Sequence, residues 1–247
     1  ISKNVTAQIP VVGDVKNVLL ELNKIVKPKK HTDWLKQIDK WRQEKPLKYP
    51  EDDKLRSPFI VEKINELTAG EAIVVTEVGQ NQMFAAQFYK PKHLRHFISS
   101  GGLGTMGFGF PAAIGAKIAN PTKTVIDIAG DGSIQMNIQE LATAVVNKIN
   151  VIVCILNNSY LGLVRQWQQM FYNKRYSAVQ LHTQPDKAGT SGIPDFVKLA
   201  EAYGAEGFRV REKSEVLPTL KKALQIKIKP VIIDFWVVQD ECVLPMV

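Results

Sequence analysis

Read by the spacing of its apolar side chains, the chain changes character near residue 55. Before that point, Ile1 to Val12 reads as a strand ending at Gly13. Asp14 then heads a helix whose Val15, Val18, Leu19, Leu22 and Ile25 recur at helical spacing and which stops before Pro28. Residues 29–54 are charged, carry Trp34 and Trp41 on one face of a predicted helix, and run out in the segment Pro46 to Pro50, the pattern of a linker helix. Beyond it the rhythm is regular. Ser57 as N-cap and Pro58 at the first helical position open a helix with Ile60, Ile64 and Leu67 on one side. Ala72 to Thr76, the short Arg95 to Ile98, Thr124 to Ala129, Val151 to Leu156 and Val231 to Val238 read as strands. Asn137 with Glu140 three residues later begins a helix striped by Ile138, Leu141, Ala142 and Val145. Strands alternating with helices predict an α/β domain, a parallel sheet with helices on both faces.

Composition narrows the class without choosing a function. With 247 residues and 45% apolar content the chain can bury a full core. No apolar run approaches the roughly eighteen residues of a membrane span. The two cysteines do not make a disulfide framework: Cys154 sits inside an apolar strand and Cys242 in the terminal segment, which fits a reducing compartment. The net charge of +8 gathers in lysines at 24–30 and 221–229, neither interleaved with aromatics nor set in a nucleic-acid motif, so both read as solvated surface with no nucleic-acid partner. The first residue is not methionine and no signal peptide pattern follows it, so the chain reads as a piece of a longer protein.

The chemistry concentrates where two of the predicted strands stop. Thr124 to Ala129 ends at Gly130-Asp131-Gly132, and after twenty-four intervening residues Val151 to Leu156 ends at Asn157-Asn158. If these strands are neighbours, both turns open on the carboxyl edge, where open α/β sheets place ligands. Asp131 supplies one charged oxygen, Asn158 a neutral amide oxygen and the Tyr160 carbonyl a third. That is the donor set of a magnesium ion which completes its shell with phosphate oxygens and water. Gly130 and Gly132 leave room for a phosphate. Each half alone is also a common strand-turn-helix or Asn-Asn turn; the pair at this spacing is what points to a metal-diphosphate clamp. Gly102, Gly104 and Gly107 also satisfy the dinucleotide pattern G-x-G-x-x-G, with Asp127 twenty residues on. The strand before them is short, Asp127 lies inside a strand, and a dinucleotide leaves the pairing of Asp131 with Asn158 unexplained.

Glu77-Val78-Gly79-Gln80, the segment Gly101 to Gly107, the clamp, Leu163 to Tyr172 with its Gln166-Trp167-Gln168, and the closing Leu244-Pro245-Met246-Val247 together resemble the thiamine diphosphate enzymes. Among these the chain is similar to the catalytic subunits of acetolactate (acetohydroxyacid) synthase, along essentially its whole length. The resemblance implies a thiamine diphosphate-binding fold over residues 55–247, a linker at 29–54, and at 1–28 the tail of a central domain that contributes to FAD binding in the full-length enzyme. It implies thiamine diphosphate and Mg2+ as cofactors. Cofactor contacts would come from Val78, Gly79, Gln80, Asn81, Gly104, Met106, Gly130, Asp131, Gly132, Ser133, Asn158, Tyr160, Leu161, Gly162 and Leu163, with Asp131, Asn158 and Tyr160 on the metal. Met106 would prop the bent cofactor, although it could equally be a core methionine. Trp167, with Leu163, would line the acceptor site for a 2-ketoacid, or else pack its helix on the sheet.

The implied reaction is decarboxylation of pyruvate and condensation of the two-carbon unit with pyruvate or 2-ketobutyrate, in branched-chain amino acid biosynthesis. Homodimers or homotetramers, a small regulatory subunit, and a cytoplasmic or organellar-matrix location are the associated expectations. A pyruvate oxidase, a glyoxylate carboligase or an inactive assembly module of the same fold are the alternatives. Three features depart from the family pattern: Asn81 where many members carry histidine, Leu163 where many carry methionine, and an insertion from Asp186 to Gly192. The activating glutamate of the family lies in an amino-terminal domain, so no catalytic residue is assigned here and the piece alone is expected to be inactive.

Overall fold

In the computed structural model, which describes residues 1–181 and 192–245, the chain divides into two units, 1–48 and 49–247. The first holds α1 (Val15–Ile25) and α2 (Thr32–Glu44). Asp14 caps α1, its carboxylate accepting from the Lys16 and Asn17 amides at 3.1 and 3.3 Å. Trp34 and Trp41 meet edge to face within α2, ring centroids 5.6 Å apart. The strand expected over Ile1 to Val12 is not formed: those residues run irregularly and are exposed, since a strand needs a ladder partner and none lies in this unit among the described residues.

The second unit is the predicted parallel α/β domain. From Ser57 the order is α3 (Ser57–Thr68), β1 (Ile73–Thr76), α4 (Gln80–Phe88), β2 (Phe97–Ser99), α5 (Gly109–Ala119), β3 (Val125–Gly130), a 3-10 turn (Ile134–Asn137) and α6 (Glu140–Val146). There follow β4 (Ile152–Asn157), α7 (Gly162–Phe171), α8 (Phe196–Tyr203), β5 (Glu206–Val210), α9 (Lys213–Gln225) and β6 (Val231–Trp236). Two local expectations shift. Ser57 is the first helical residue, after an Arg56 cap. Asn137 closes the 3-10 turn instead of capping a helix, because its amide is used on Gly107.

All six strands run parallel in the order β2-β1-β3-β4-β6-β5. The four inner strands β1, β3, β4 and β6 are apolar and buried along almost their whole length, as a two-faced parallel sheet requires. Alternate residues feed two cores. Val74, Ile126, Cys154 and Ile233 join Ile60, Phe84 and Leu220 beneath α3, α4 and α9. Val75, Ala129, Ile155 and Ile232 join Phe110, Leu141 and Phe196 beneath α5, α6 and α8.

The strand order reverses between β1 and β3. The chain leaving β1 enters α4 on one face, and the chain leaving β3 turns toward α6 on the other. The two backbones therefore part at the carboxyl edge and leave a crevice, the position at which such sheets bind ligands.

Alpha5 reaches this edge only because of Gly109. A Cβ there would stand 2.6 Å from Asp127 Oδ1, 2.6 Å from the Glu77 nitrogen and 2.8 Å from the Thr76 carbonyl carbon, two of them backbone atoms that cannot retreat. Gly109→Ala is expected to cost about 1 to 3 kcal/mol as an overpacked core substitution. Thermal unfolding should show it as a drop of roughly 3 to 10 °C.

Candidate diphosphate cleft at the carboxyl edge

The crevice is a cavity of about 250 Å3. It gathers all fifteen positions expected to touch a cofactor from four separate segments. Val78, Gly79, Gln80 and Asn81 come from the end of β1, and Gly104 with Met106 from the loop before α5. Gly130, Asp131, Gly132 and Ser133 follow β3, and Asn158, Tyr160, Leu161, Gly162 and Leu163 follow β4. Trp167 does not line it. It stands half-exposed on α7, in edge-to-face contact with Phe171 at 6.2 Å.

Asp131 is 1% exposed. Its Oδ1 accepts the Gly132 amide at 3.0 Å and its Oδ2 the Ser159 amide at 2.7 Å, so one carboxylate ties the end of β3 to the turn after β4. That turn is tightly wound. Ser159 takes φ +65°, and its N–H is also accepted by Asn157 Oδ1 at 3.2 Å, while Asn158 Oδ1 accepts the Tyr160 amide at 3.0 Å. Side-chain oxygens of this kind bonding the backbone two residues on explain why paired asparagines sit at the strand end. Tyr160 faces a short antiparallel bridge to Gln180, held by Leu161 N–H to the Val179 carbonyl and Leu181 N–H to the Ser159 carbonyl; neither bond uses the Tyr160 carbonyl.

Behind these groups runs a chain of amides. Asn158 Nδ2 donates to Gln80 Oε1 at 3.1 Å, and Gln80 Nε2 donates to Gln166 Oε1 at 2.7 Å and to the Glu241 carbonyl at 2.8 Å. Gln166 in turn clasps Val243 through both its amide and its carbonyl. Gly162 begins α7 in the middle of this chain: a Cβ there would collide with Gln80 Oε1 and lie 2.6 Å from Asn158 Nδ2. Arg56 pins the tail from the other side, donating to Glu241 at 2.7 Å and to Asp52 at 2.6 Å. Burial nonetheless keeps the Glu241 carboxyl above its ordinary value.

Asn81 has a different occupation from the phosphate contact it was expected to share. Its Nδ2 donates to the Glu77 carbonyl at 2.9 Å and to the Ile128 carbonyl at 2.8 Å, bracing β1 against β3 where they part. Asp127, weighed as a ribose-binding acid, lies fully buried in mid-strand and does not line the cleft. Sequence reasoning missed Gln166 and Glu241 because a polar residue inside an amphipathic helix and one in an irregular tail carry no periodic signal. Glu77 was read only as part of a motif, yet it is fully buried. The insertion from Asp186 to Gly192 lies outside the described residues except for Gly192.

Residues 77–235 match the family described as thiamine pyrophosphate enzyme, C-terminal TPP binding domain. The chain belongs to that family. The chain is also 44% identical over 253 residues to the acetolactate synthase large subunit of Haemophilus influenzae, covering 100% of this chain and 43% of that protein. It is 45% identical over 255 residues to the acetolactate synthase of Mycobacterium leprae, covering 100% and 40%. Over 233 residues it is 45% identical to the acetolactate synthase isozyme 3 large subunit of Escherichia coli, covering 91% and 39%. The chain thus spans about two fifths of the length of the curated relatives it matches.

The thiamine pyrophosphate-binding domain keeps one acid in its cleft at a cost. Burial lifts the Asp131 carboxyl from 3.8 to about 7, against the downward pull of the Ser159 and Gly132 amides. An acid with a folded-state value above its unfolded one takes up a proton on folding. Its stabilising effect is therefore complete below about pH 4 and is lost as pH rises toward 7. The unfolding temperature of Asp131→Ala, measured against the unaltered protein without ligand, is expected to gain on it steadily from pH 4 to 8. A difference that stays constant with pH would contradict the shift.

Proposed function

We propose that this chain is the diphosphate- and magnesium-holding portion of an acetolactate synthase catalytic subunit. The observation that carries this reading is the meeting of Asp131 and Asn158 at the ends of adjacent strands, on the crevice where β1 and β3 diverge. Identities of 44 and 45% to acetolactate synthases support the particular activity. On this reading Asp131, the Asn158 Oδ1 and the Tyr160 carbonyl hold Mg2+, which takes its remaining oxygens from the diphosphate and water. Among the described residues no group of three His, Cys, Asp or Glu side chains could hold a metal by itself, which fits an ion that relies on its ligand's phosphates.

Bound thiamine diphosphate supplies an electron sink for decarboxylation of a 2-ketoacid. The domain's own work is to hold and orient. Gly130 and Gly132 keep the strand end open: at Gly132 a Cβ would meet Leu161 at 2.7 Å and approach the Met106 methyl at 3.8 Å, so the phosphate loop lies close under the methionine. Met106 from above and Leu161, which caps α7, supply the apolar walls that keep water from the reacting end. Leu163 lines the cleft and Trp167 stands one turn farther along α7, and together they would meet a 2-ketoacid acceptor. Residues 1–28 are the tail of the flavin-associated central domain and 29–54 the linker. Pyruvate and 2-ketobutyrate are the substrates, in branched-chain amino acid biosynthesis, and the full-length subunit works as a dimer or tetramer, with a small regulatory subunit as a further partner. No helix among the described residues is long and apolar enough to cross a membrane.

Asp131→Ala in the full-length protein is expected to abolish magnesium-dependent binding of thiamine diphosphate while the fold survives, since the remaining protein ligands are neutral and cannot offset magnesium's dehydration. Calorimetry returning an unchanged affinity would remove the clamp. Trp167→Leu tests the rim. Loss of one apolar contact should lower the preference for 2-ketobutyrate over pyruvate as acceptor by on the order of tenfold, with pyruvate decarboxylation little altered. Competition between the two ketoacids, scoring acetohydroxybutyrate against acetolactate, reads it directly, and an equal ratio would make the tryptophan structural.

A further inference from the structure

Met106 is carried by a turn whose next peptide is gripped on both sides. Gly107 takes φ +87°, and a Cβ there would lie 2.7 Å from the Asn137 amide nitrogen and 2.8 Å from Met136 Cβ. Its N–H donates to Glu77 Oε2 at 2.7 Å, and its carbonyl accepts from Asn137 Nδ2 at 2.7 Å. The other oxygen of Glu77 accepts the Phe110 amide at 3.0 Å, at the start of α5, with the Gly109 amide adding to the same cradle. One buried carboxylate at the end of β1 thus holds the backbone on either side of Gly109, from the residue after Met106 into the first turn of a helix whose dipole favours negative charge there.

Resting on the reading of this cleft as a thiamine diphosphate site, we propose that Glu77 is a positioning residue: it sets the turn that carries Gly104 and Met106, whose backbone groups the family resemblance directs to the pyrimidine half of the cofactor. On the same reading the diphosphate half is served by the turns after β3 and β4 together with Gly79 and Gln80. The Gln80 side chain bonds Gln166, Glu241 and Asn158 and not the Glu77 carboxylate, so the two ends of the ligand depend on different contacts.

Asp127 lies behind this carboxylate on the neighbouring strand, its Oδ1 against Gly109. It is fully buried, and neither of its oxygens has a hydrogen-bond partner among the described residues. Burial and the nearby Glu77 hold the Asp127 carboxyl well above its ordinary value, which favours its neutral form. Burial raises Glu77 too, while the amides of Phe110, Gly107 and Gly109 pull it down. Two like charges cannot share this space. Of the pair, Glu77 has the donors, and the single negative charge resides there.

The test uses full-length protein freed of cofactor, and calorimetry with two probes in the presence of Mg2+: thiamine diphosphate, and inorganic diphosphate, which has no pyrimidine. Glu77→Gln keeps the shape and removes the charge. It is expected to weaken thiamine diphosphate by about tenfold or more, the loss of charge-assisted bonds, and to leave diphosphate within about twofold. Glu77→Asp, which restores the charge, should recover most of the loss. In a Met106→Ala background Glu77→Gln should cost little more, since both act through one turn. Unchanged thiamine diphosphate affinity, an equal fall for both probes, or full additivity with Met106→Ala would each overturn the proposal. If Glu77→Gln does not fold, as judged by thermal unfolding, Asn137→Ala releases the same peptide from its other side and carries the same expectation and the same overturning outcomes. Failure of the unaltered protein to bind either probe would instead refute the thiamine diphosphate reading itself.

Discussion

Two hydrogen bonds from one amide hold open the place on which the site depends. Where β1 and β3 part, the last ladder bond runs from the Glu77 N–H to the Ile128 carbonyl at 3.1 Å, and the Glu77 carbonyl beyond it would be left buried without a donor. Asn81 donates to both carbonyls. A buried carbonyl without a donor costs about 1 to 3 kcal/mol, so this amide lets the strands separate without that penalty. Everything in the cleft follows from the separation: Gly79 and Gln80 leave on one side, Gly130 and Asp131 on the other, and the turn after β4 closes the third wall. Histidine, expected here from the family pattern, carries at most two ring N–H groups set on opposite sides of a rigid ring and could not bond both carbonyls in the same way.

Around that opening the domain accumulates buried acids. Asp131, Glu77 and Asp127 lie at or near the carboxyl edge, each at 1% exposure or less. Their environments differ in kind. Asp131 meets two amides and faces the cleft, Glu77 meets amides from the start of α5, and Asp127 meets no donor among the described residues. A protein selected only for stability would place apolar residues at these positions. Retaining charge beside a cavity makes sense where a cation or a cationic ring is to be received, and the same burial that destabilises the empty domain strengthens every electrostatic contact once a ligand excludes water.

Much of this was legible because it is periodic. The β-branched runs from Thr124 and Val151 located two central strands to within a residue, and the glycine and asparagine endings placed the turns. Edge strand β5, with Gly207 and Arg209 breaking its apolar run, and helices α4 and α5, with weak amphipathic patterns, had no such signature. At the site, Asn158 was expected as a metal ligand, whereas the backbone bonds by which it and Asn157 wind the turn carry no sequence signal. Long-range partners were out of reach: Gln80 with Gln166, Arg56 with Glu241 and Glu77 with Gly107 pair residues whose separation in the chain follows no rule. The strand expected at Ile1 to Val12 failed for a related reason, since β-branched composition supplies propensity but not a partner.

The crowding at the glycines divides α7 into two territories. Its first residue, Gly162, is surrounded by Gln80 and Asn158 and admits no side chain, while Trp167, Met170 and Phe171 further along are open to solvent. Substitutions drifting into the opening turn are removed with the cofactor grip, whereas those farther down alter only what stands on the rim. Variation along this helix is therefore steered toward its solvent-open residues, while the end that faces Gln80 and Asn158 stays fixed.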